Sequence, residues 1–559
     1  MEDRIWHKAY APQLPPSIDY EDVALPAALA RAARDYPGNT ALIMMGKKIS
    51  YRQLDEQVSR FATALADLGI KKGDKVALVL PNMPQMVIAT YALFRIGAVA
   101  VMNNPLYTER ELEYQLNDSD SVMVICMDLL VPKILSLKEK TRIETVIACH
   151  IRDYLPFPLK HLFPILKKQM HRKTRPAEGA LDFVNLLRAS PPEPPLTDLS
   201  FDDLACLMYT GGTTGLSKGV MLSHGNISIN VQQVKGVLFD AEEGNETVIG
   251  ILPFFHAAGF TGGMNHCIYR GFAHVLVPRP DADTLLKLTV KHRPAYFGCV
   301  PTLYVGVLNH PDLSKHDLSF IKGCISGAAP LALETIREWD ERVGAPIIEV
   351  YGMTEMSPVS HANPWRGKMK PGSVGVPLPD TDCRIVDVET GTRDLGFGES
   401  GEILLTGPQM SQGYYKKPDE SAEAFRDGWF HTGDIGYMDN EGYLYIVDRK
   451  KDMIIAGGYN VYPREIDEVL YEHPKIKEAC AVGLPDPYRG ETVKAFIVPR
   501  EGESLTQSEV VDYCKEKLAA YKVPKTVEFM DELPKSIIGK VLRRKLREIE
   551  MERTSKRGT

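Results

Sequence analysis

Hydrophobic and polar positions along the first two hundred residues alternate between two periods. LPAALARAARDY, from Leu25, carries apolar residues at the three-to-four spacing of an amphipathic helix. KVALVL, Lys75 to Leu80, is an unbroken apolar run of strand length. PNMPQMVIATYALFRIG returns to helix and AVAVMN to strand. The longest apolar stretch, Met86 to Met102, is broken by Arg95 and Gly97. It reads as a buried helix followed by a strand, not as a membrane span. Strands separated by helices predict parallel pairing and layered α/β sheets.

The same rhythm continues downstream. GNISINVQQVKGVL predicts a helix, and ETVIGILP and HVLVP predict strands. SFIKGCISGAAPL and PIIEVYGMTE each run from strand into loop. Near Gly375 the texture shifts to short β-branched and aromatic runs, GEILLTGPQ and GYLYIVD, as in an antiparallel or barrel-like subdomain. After Lys451 the segments REIDEVLYEHPKIKEACAVGL, VKAFIVP and SEVVDYCKEKLAAY predict helix, strand, strand and helix. The charge cluster DRKKDMI divides the two regions. The expected fold is α/β. It has a large N-terminal domain over 1–450, β-barrel-like from about 375 to 450, and a small α+β domain over 451–559.

Leu155 to Lys173 departs from this pattern. Leu159, Leu162, Phe163, Ile165, Leu166 and Met170 alternate with Lys160, Lys167, Lys168, Arg172 and Lys173. Such a stretch either lies on an anionic membrane surface or packs its apolar side on the body of the protein. Its prolines weaken a helix there.

Composition narrows the function classes. A net charge of −7 excludes nucleic acid as a bulk partner. Nine cysteines without a CxxC spacing argue against a zinc site or a disulfide framework and fit a reducing cytoplasm. MEDRIWHKAY has early acids and no apolar run, unlike a signal peptide.

Candidate chemistry begins at YTGGTTGLSKG, Tyr209 to Gly219. A P-loop requires glycine, four residues, then Gly-Lys-Ser/Thr, and no register here fits. The loop still offers backbone amides, hydroxyls and an ammonium to an anion. Taken alone, it reads equally well as a surface turn of small residues. Four further stretches follow in order: LPFFHAAGF (Leu252 to Phe260), YGMTEMSP (Tyr351 to Pro358), WFHTGDIG (Trp429 to Gly436) and LPKSIIGKVLRR (Leu533 to Arg544).

Together with the glycine loop, these motifs resemble the adenylate-forming superfamily of acyl-CoA synthetases, luciferases and peptide-synthetase adenylation domains. The resemblance spans essentially the whole chain. NNPLYTERELEYQLNDS, Asn103 to Ser119, and the basic insertion are similar to bacterial long-chain fatty acyl-CoA synthetases. The resemblance implies two steps: a carboxylate attacks the α-phosphate of ATP, then the coenzyme A thiol displaces AMP from the acyl-adenylate.

It also implies roles for particular residues. Tyr209, Thr210, Gly211, Gly212, Thr213, Thr214, Gly215 and Lys218 would hold the departing phosphates. Glu355, with Thr210, would hold Mg²⁺, a metal that takes few carboxylates beside phosphate oxygens. Thr354 would donate to the α-phosphate. Adenine would lie between Tyr351 and Gly327, Ala328 and Ala329, with Glu349 and Gly352 nearby. Asp434 would accept from the ribose hydroxyls, as an acceptor-only group can, assisted by Arg449. Lys451 would be the hinge of a mobile C-terminal domain. Lys540 would bridge the reacting carboxylate and phosphate, although beside Arg543 and Arg544 it reads in isolation as surface charge. His256 would lie beside the reacting carboxylate, and Phe255, Ala257, Gly259 and Phe260 would shape the acyl pocket. Gly457, Gly458 and Tyr459 would line the passage for coenzyme A. Fatty acid is the first expectation for the substrate and an aryl or coumarate-like acid the alternative. A nucleotide- or acyl-binding protein without turnover would have no use for Lys540. A homodimer and a peripheral contact at the inner face of the membrane, through 155–173, remain open expectations.

Overall fold

The computed structural model describes residues 4–166, 172, 179–210, 217–327, 329, 331–456, 459–486, 490–536 and 539–557. Helices begin where short polar side chains supply caps. Ser50, Thr108, Ser223 and Thr506 each accept from the amide three residues on, and Gln53, Glu111, Asn226 and Glu509 reach back to the cap amides.

A seven-stranded sheet has the spatial order Leu181–Asp182, Thr145–Cys149, Met123–Met127, Lys75–Val79, Val99–Met102, Leu204–Thr210, Lys218–Ser223. Its ladders are parallel except the last. A nine-stranded sheet runs from Lys47–Ser50 through Thr40–Met44, Ala273–Leu276, Thr247–Gly250, Tyr296–Cys299, Gly323–Ser326 and Ile347–Gly352 to Val359–Ala362 and Val376–Pro377. It is parallel in its centre and antiparallel at both edges. Central strands covered on both faces explain the continuous apolar runs. The helix Pro84–Arg95 is buried from Pro84 to Phe94. Phe94 meets His224 and Phe260 edge-on, at ring separations of 5.1 and 6.3 Å, so one core serves both sheets.

Five antiparallel strands follow: Asp382–Val386, Gly401–Thr406, Phe425–Arg426, Trp429–Met438 and Leu444–Arg449. The chain then turns through 450–453, where the amides of Asp452 and Met453 donate to the Arg449 carbonyl at 3.0 and 3.1 Å. It enters a last sheet built from Ile454–Ala456, Tyr459–Val461, Ile476–Asp486, Gly490–Pro499 and Thr526–Phe529. That sheet and the helices Pro463–Tyr471 and Gln507–Lys517 enclose a separate core around Ile466, Leu470, Ala481, Ile497 and Val510.

The basic insertion contains the helix Leu159–Leu166. Phe163 is turned inward, while Phe157, Ile165 and Leu166 are 85, 76 and 65% exposed. Lys167, Lys168, Met170 and Lys173 lie outside the described residues. Among the described residues no helix is long and apolar enough to cross a membrane.

Candidate active site

The two strands flanking the glycine loop pair antiparallel, with Thr210 opposite Lys218. Gly211, Gly212, Thr213, Thr214 and Gly215 lie outside the described residues. The base of the loop is braced by the helix Glu109–Asp118. Tyr209 Oη donates to Asp118 Oδ2 at 2.8 Å, Tyr114 Oη to the Ser217 carbonyl at 2.9 Å, and Gln115 Nε2 to Ser217 Oγ at 3.2 Å. The Lys218 ammonium sits 4.8 Å from the centre of the Tyr414 ring.

The strand Ile347–Gly352 delivers the second group. A Cβ on Gly352 would lie 1.9 Å from the Pro358 carbonyl oxygen, so the tight turn that presents Thr354 and Glu355 requires glycine there. Tyr351 Oη donates to Asp434 Oδ2 at 2.7 Å, and Arg449 Nε lies 3.1 Å from Asp434 Oδ1. Asp434 and Arg449 are register partners in neighbouring strands. The carboxylate expected at the ribose is thus already held at both oxygens. Glu349 is two residues from Tyr351 and buried, and burial pushes its carboxyl up to about 7, against the pull of the Gly372 and Leu331 amides. Gly327 follows Ser326, the register partner of Glu349, and a Cβ there would meet Val350 Cγ2 at 2.9 Å. Ala329 lies in the bend that follows, and Ala328 is outside the described residues.

Glu355 is buried, and Tyr414 Oη donates to its Oε1 at 2.9 Å. Burial raises its carboxyl above the ordinary glutamate range. A buried carboxylate that protein charges leave under-compensated favours a cation, and a hard oxygen donor suits Mg²⁺. The residues present therefore fit that metal. The described residues contain no cluster of three or more histidine, cysteine or acidic side chains able to hold a metal by themselves.

Lys540 comes from the last sheet's side of the molecule. Burial, followed by the positive charge of Arg449, pulls its ammonium down to about 8, while Asp434 acts in the opposite direction. The His256 side chain reaches solvent. The protein atoms crowded around it nevertheless displace enough water to lower its basicity, and the Lys540 charge lowers it further. One ammonium is thus within electrostatic reach of both the Tyr351–Asp434–Arg449 group and His256. Lys451 is exposed in the 450–453 turn, where partial loss of hydration and then the Arg449 charge lower its ammonium. Gly457 and Gly458 are outside the described residues, and Tyr459 is described only as part of its strand.

After His256 the chain forms a π-helical turn, Ala258–Asn265, a feature frequent at functional sites. Ala257 and Phe260 are fully packed, Phe255 is partly buried against the same core, and Gly259 approaches the Pro253 carbonyl too closely for a side chain. The residues expected to shape an acyl pocket are continuous with the shared core. Sequence reasoning passed over Tyr414, Tyr114 and Asp118. The Gly-Tyr-Tyr of SQGYY was the available signal for Tyr414.

A family profile described as AMP-binding enzyme matches residues 29–415, and a second, AMP-binding enzyme C-terminal domain, matches 465–540. The chain belongs to the AMP-binding enzyme family. A long-chain-fatty-acid–CoA ligase from Bacillus subtilis (strain 168) is 44% identical to this AMP-binding enzyme over 551 residues, 98% of each chain. The ligase of the same name from Salmonella typhimurium is 36% identical over 557 residues, again 98% of each. Among solved structures, ATP-bound MatB from Rhodopseudomonas palustris superposes with a TM-score of 0.84 at 31% identity, covering 94% of this chain and 99% of that one. The anthranilate CoA ligase AuaEII with anthranoyl-AMP gives 0.85 at 27% identity, covering 96 and 98%.

Proposed function

We infer that this AMP-binding enzyme ligates a fatty acid to coenzyme A through an acyl-adenylate, consuming ATP and releasing AMP and pyrophosphate. The observation that carries the reading is Lys540, whose charge lies within electrostatic range of the Asp434–Arg449 pair and of His256. A carboxylate oxygen attacks the α-phosphorus as the bond to the β-phosphate breaks. Lys540 offers positive charge between the two anions at that moment, the charge-stabilising role that dominates many enzymes. Thr354 donates to the α-phosphate, and Tyr351 with Gly327 and Ala329 brackets the base. Asp434, oriented by Tyr351 and Arg449, accepts from the ribose. Glu355 and Thr210 would hold Mg²⁺, which supplies neutralising charge for the departing pyrophosphate. In the second step the coenzyme A sulfur bonds to the acyl carbon and the bond to AMP breaks. We assign these roles to a large unit over 1–450, β-rich from about 375, and a small unit over 451–559.

Long-chain acid is favoured over aryl acid because the relatives similar along the whole chain are named for it. Exchange of labelled pyrophosphate into ATP should depend on added carboxylate. In an AMP-release assay kcat/KM should rise along a chain-length series toward palmitate and exceed that for coumarate by about tenfold or more, since each buried methylene contributes about 0.8 kcal/mol. A profile that peaks at coumarate would replace the substrate reading, and exchange without any carboxylate would end the ligase reading.

The helix Leu159–Leu166 supports a peripheral membrane contact for an enzyme whose substrate partitions into lipid. Phe157, Ile165 and Leu166 point outward beside Lys160. Wild type should co-sediment with phosphatidylglycerol vesicles and release at high salt. Phe157→Ser with Ile165→Ser should lower binding by about tenfold or more, each lost side chain contributing about 1.5–3 kcal/mol. Equal sedimentation of both proteins would remove this contact from the account.

A further inference from the structure

Lys540 can act only if the small unit is held in one orientation, and covalently the two units meet only at the 450–453 turn. The contacts across that turn converge on Asp448. Its carboxylate is 4% exposed, with Oδ1 accepting from the Arg449 amide at 2.7 Å and Oδ2 from the Arg464 amide at 2.7 Å. Arg464 is the second residue of the helix Pro463–Tyr471, whose N-cap residue, Tyr462, provides no side-chain cap. The first amides of a helix need acceptors and favour a negative charge. Here the acceptor comes from Asp448, on the final strand before the turn. Arg464 completes a second link, with Nη1 donating to the Ile446 carbonyl on the same strand at 2.8 Å.

Polar contacts tie the helix to the segment that carries Lys540. Asp467, on its buried side, accepts from the Ala481 amide at 2.5 Å and pairs with Arg543, which also donates to the Ala481 carbonyl at 3.3 Å. Arg543 lies three residues beyond Lys540. The Asp448 carboxylate is within the field of Arg543 as well. The same segment rests on the large unit at Gly539, whose φ is +74°. A Cβ there would stand 2.8 Å from Thr302 Oγ1, so the contact leaves no place for a side chain. Arg547 Nη2 closes the set, donating to the Asp452 carbonyl at 3.2 Å.

We propose that Asp448 and Arg464 are positioning residues for Lys540: Asp448 caps the helix Pro463–Tyr471 from across the turn and so fixes the orientation of the small unit that places the ammonium at the reacting groups. This deepens the ligase reading and rests on its two half-reactions. A misplacement of about 1 Å at a reacting group can lower a rate about a hundredfold.

The test compares wild type, Asp448→Ala, Asp448→Asn and Arg464→Met with palmitate, in pyrophosphate exchange and in thioester formation from supplied palmitoyl-adenylate and coenzyme A. Asp448→Ala should lower kcat for exchange about ten- to a hundredfold, with KM for ATP changed less than about threefold and thioester formation within about twofold. Asp448→Asn should recover part of the loss, because its amide oxygen still accepts one amide proton. Arg464→Met should repeat the selective loss, and it decides the matter if Asp448→Ala does not fold. Equal decline of both half-reactions, or unchanged exchange, overturns the proposal. Absence of palmitate-dependent exchange in wild type would instead overturn the ligase reading.

Discussion

Replacement of Lys540 by alanine is expected to lower adenylate formation by about 10²–10³, roughly 3–4 kcal/mol in the barrier, the usual loss for one preorganised charge-stabilising donor. Thioester formation from supplied acyl-adenylate should stay near the wild-type rate, because in the second step the sulfur attacks a neutral acyl carbonyl and no carboxylate has to approach a polyphosphate. The structure adds a pH signature. Burial and Arg449 hold the ammonium at about 8, below the ordinary lysine value. The group is charged below that pH and neutral above it, so kcat/KM for ATP in the adenylation step should fall as pH rises past about 8. That quantity reports the free enzyme, before nucleotide phosphates add their own field. The limb should vanish in Lys540→Ala. Pyrophosphate exchange measured across pH 6–10 checks both parts, and equal loss of the two half-reactions would show that Lys540 serves the fold and not the chemistry.

Glu355→Gln is expected to separate function from stability. The amide keeps an acceptor for Tyr414 Oη, which now bonds Oε1 at 2.9 Å, but removes the charge. Exchange should fall about a hundredfold, the scale seen when one electrostatic contributor to a reacting phosphate is lost. The free protein should melt at a higher temperature. Burial raises the folded-state pKa of Glu355 above its unfolded value, so ionisation favours the unfolded chain. Wild-type stability is therefore expected to decline as pH rises from the unfolded value through the folded one, and the variant should lack that contribution. Calorimetric melting with and without MgATP reads this independently of turnover: the variant should start higher and gain less from MgATP. An unchanged MgATP shift would remove Glu355 from the metal site.

Individual residues show how far the sequence could be read. The element types followed from local pattern, as in Lys75–Val79 and Pro84–Arg95, where apolar period and flanking Gly and Pro decide between strand and helix. Tyr414 escaped because its partner, Glu355, is 59 residues away and a Gly-Tyr-Tyr turn has no chemistry of its own. Asp448 escaped for a different reason. In DRKKD it reads as one more solvated charge, and only its 4% exposure marks it as a cap for Arg464. PFFHAAGF was legible as apolar, but a pocket wall and a packed core have the same composition, and the structure merges Ala257 and Phe260 with the core around Phe94.

By itself, then, the order of residues determined the alternation of strands and helices, the phosphate-suited loop after Tyr209 and the family to which the motifs point, since period, turn chemistry and short motifs are properties of neighbours along the chain. The tertiary structure alone decided which charges meet. It set Lys540 within the fields of Asp434, Arg449 and His256, and it buried Glu355 and Asp448. Those outcomes depend on how separately folded sheets dock, and burial in that docked arrangement sets the strength of each charge.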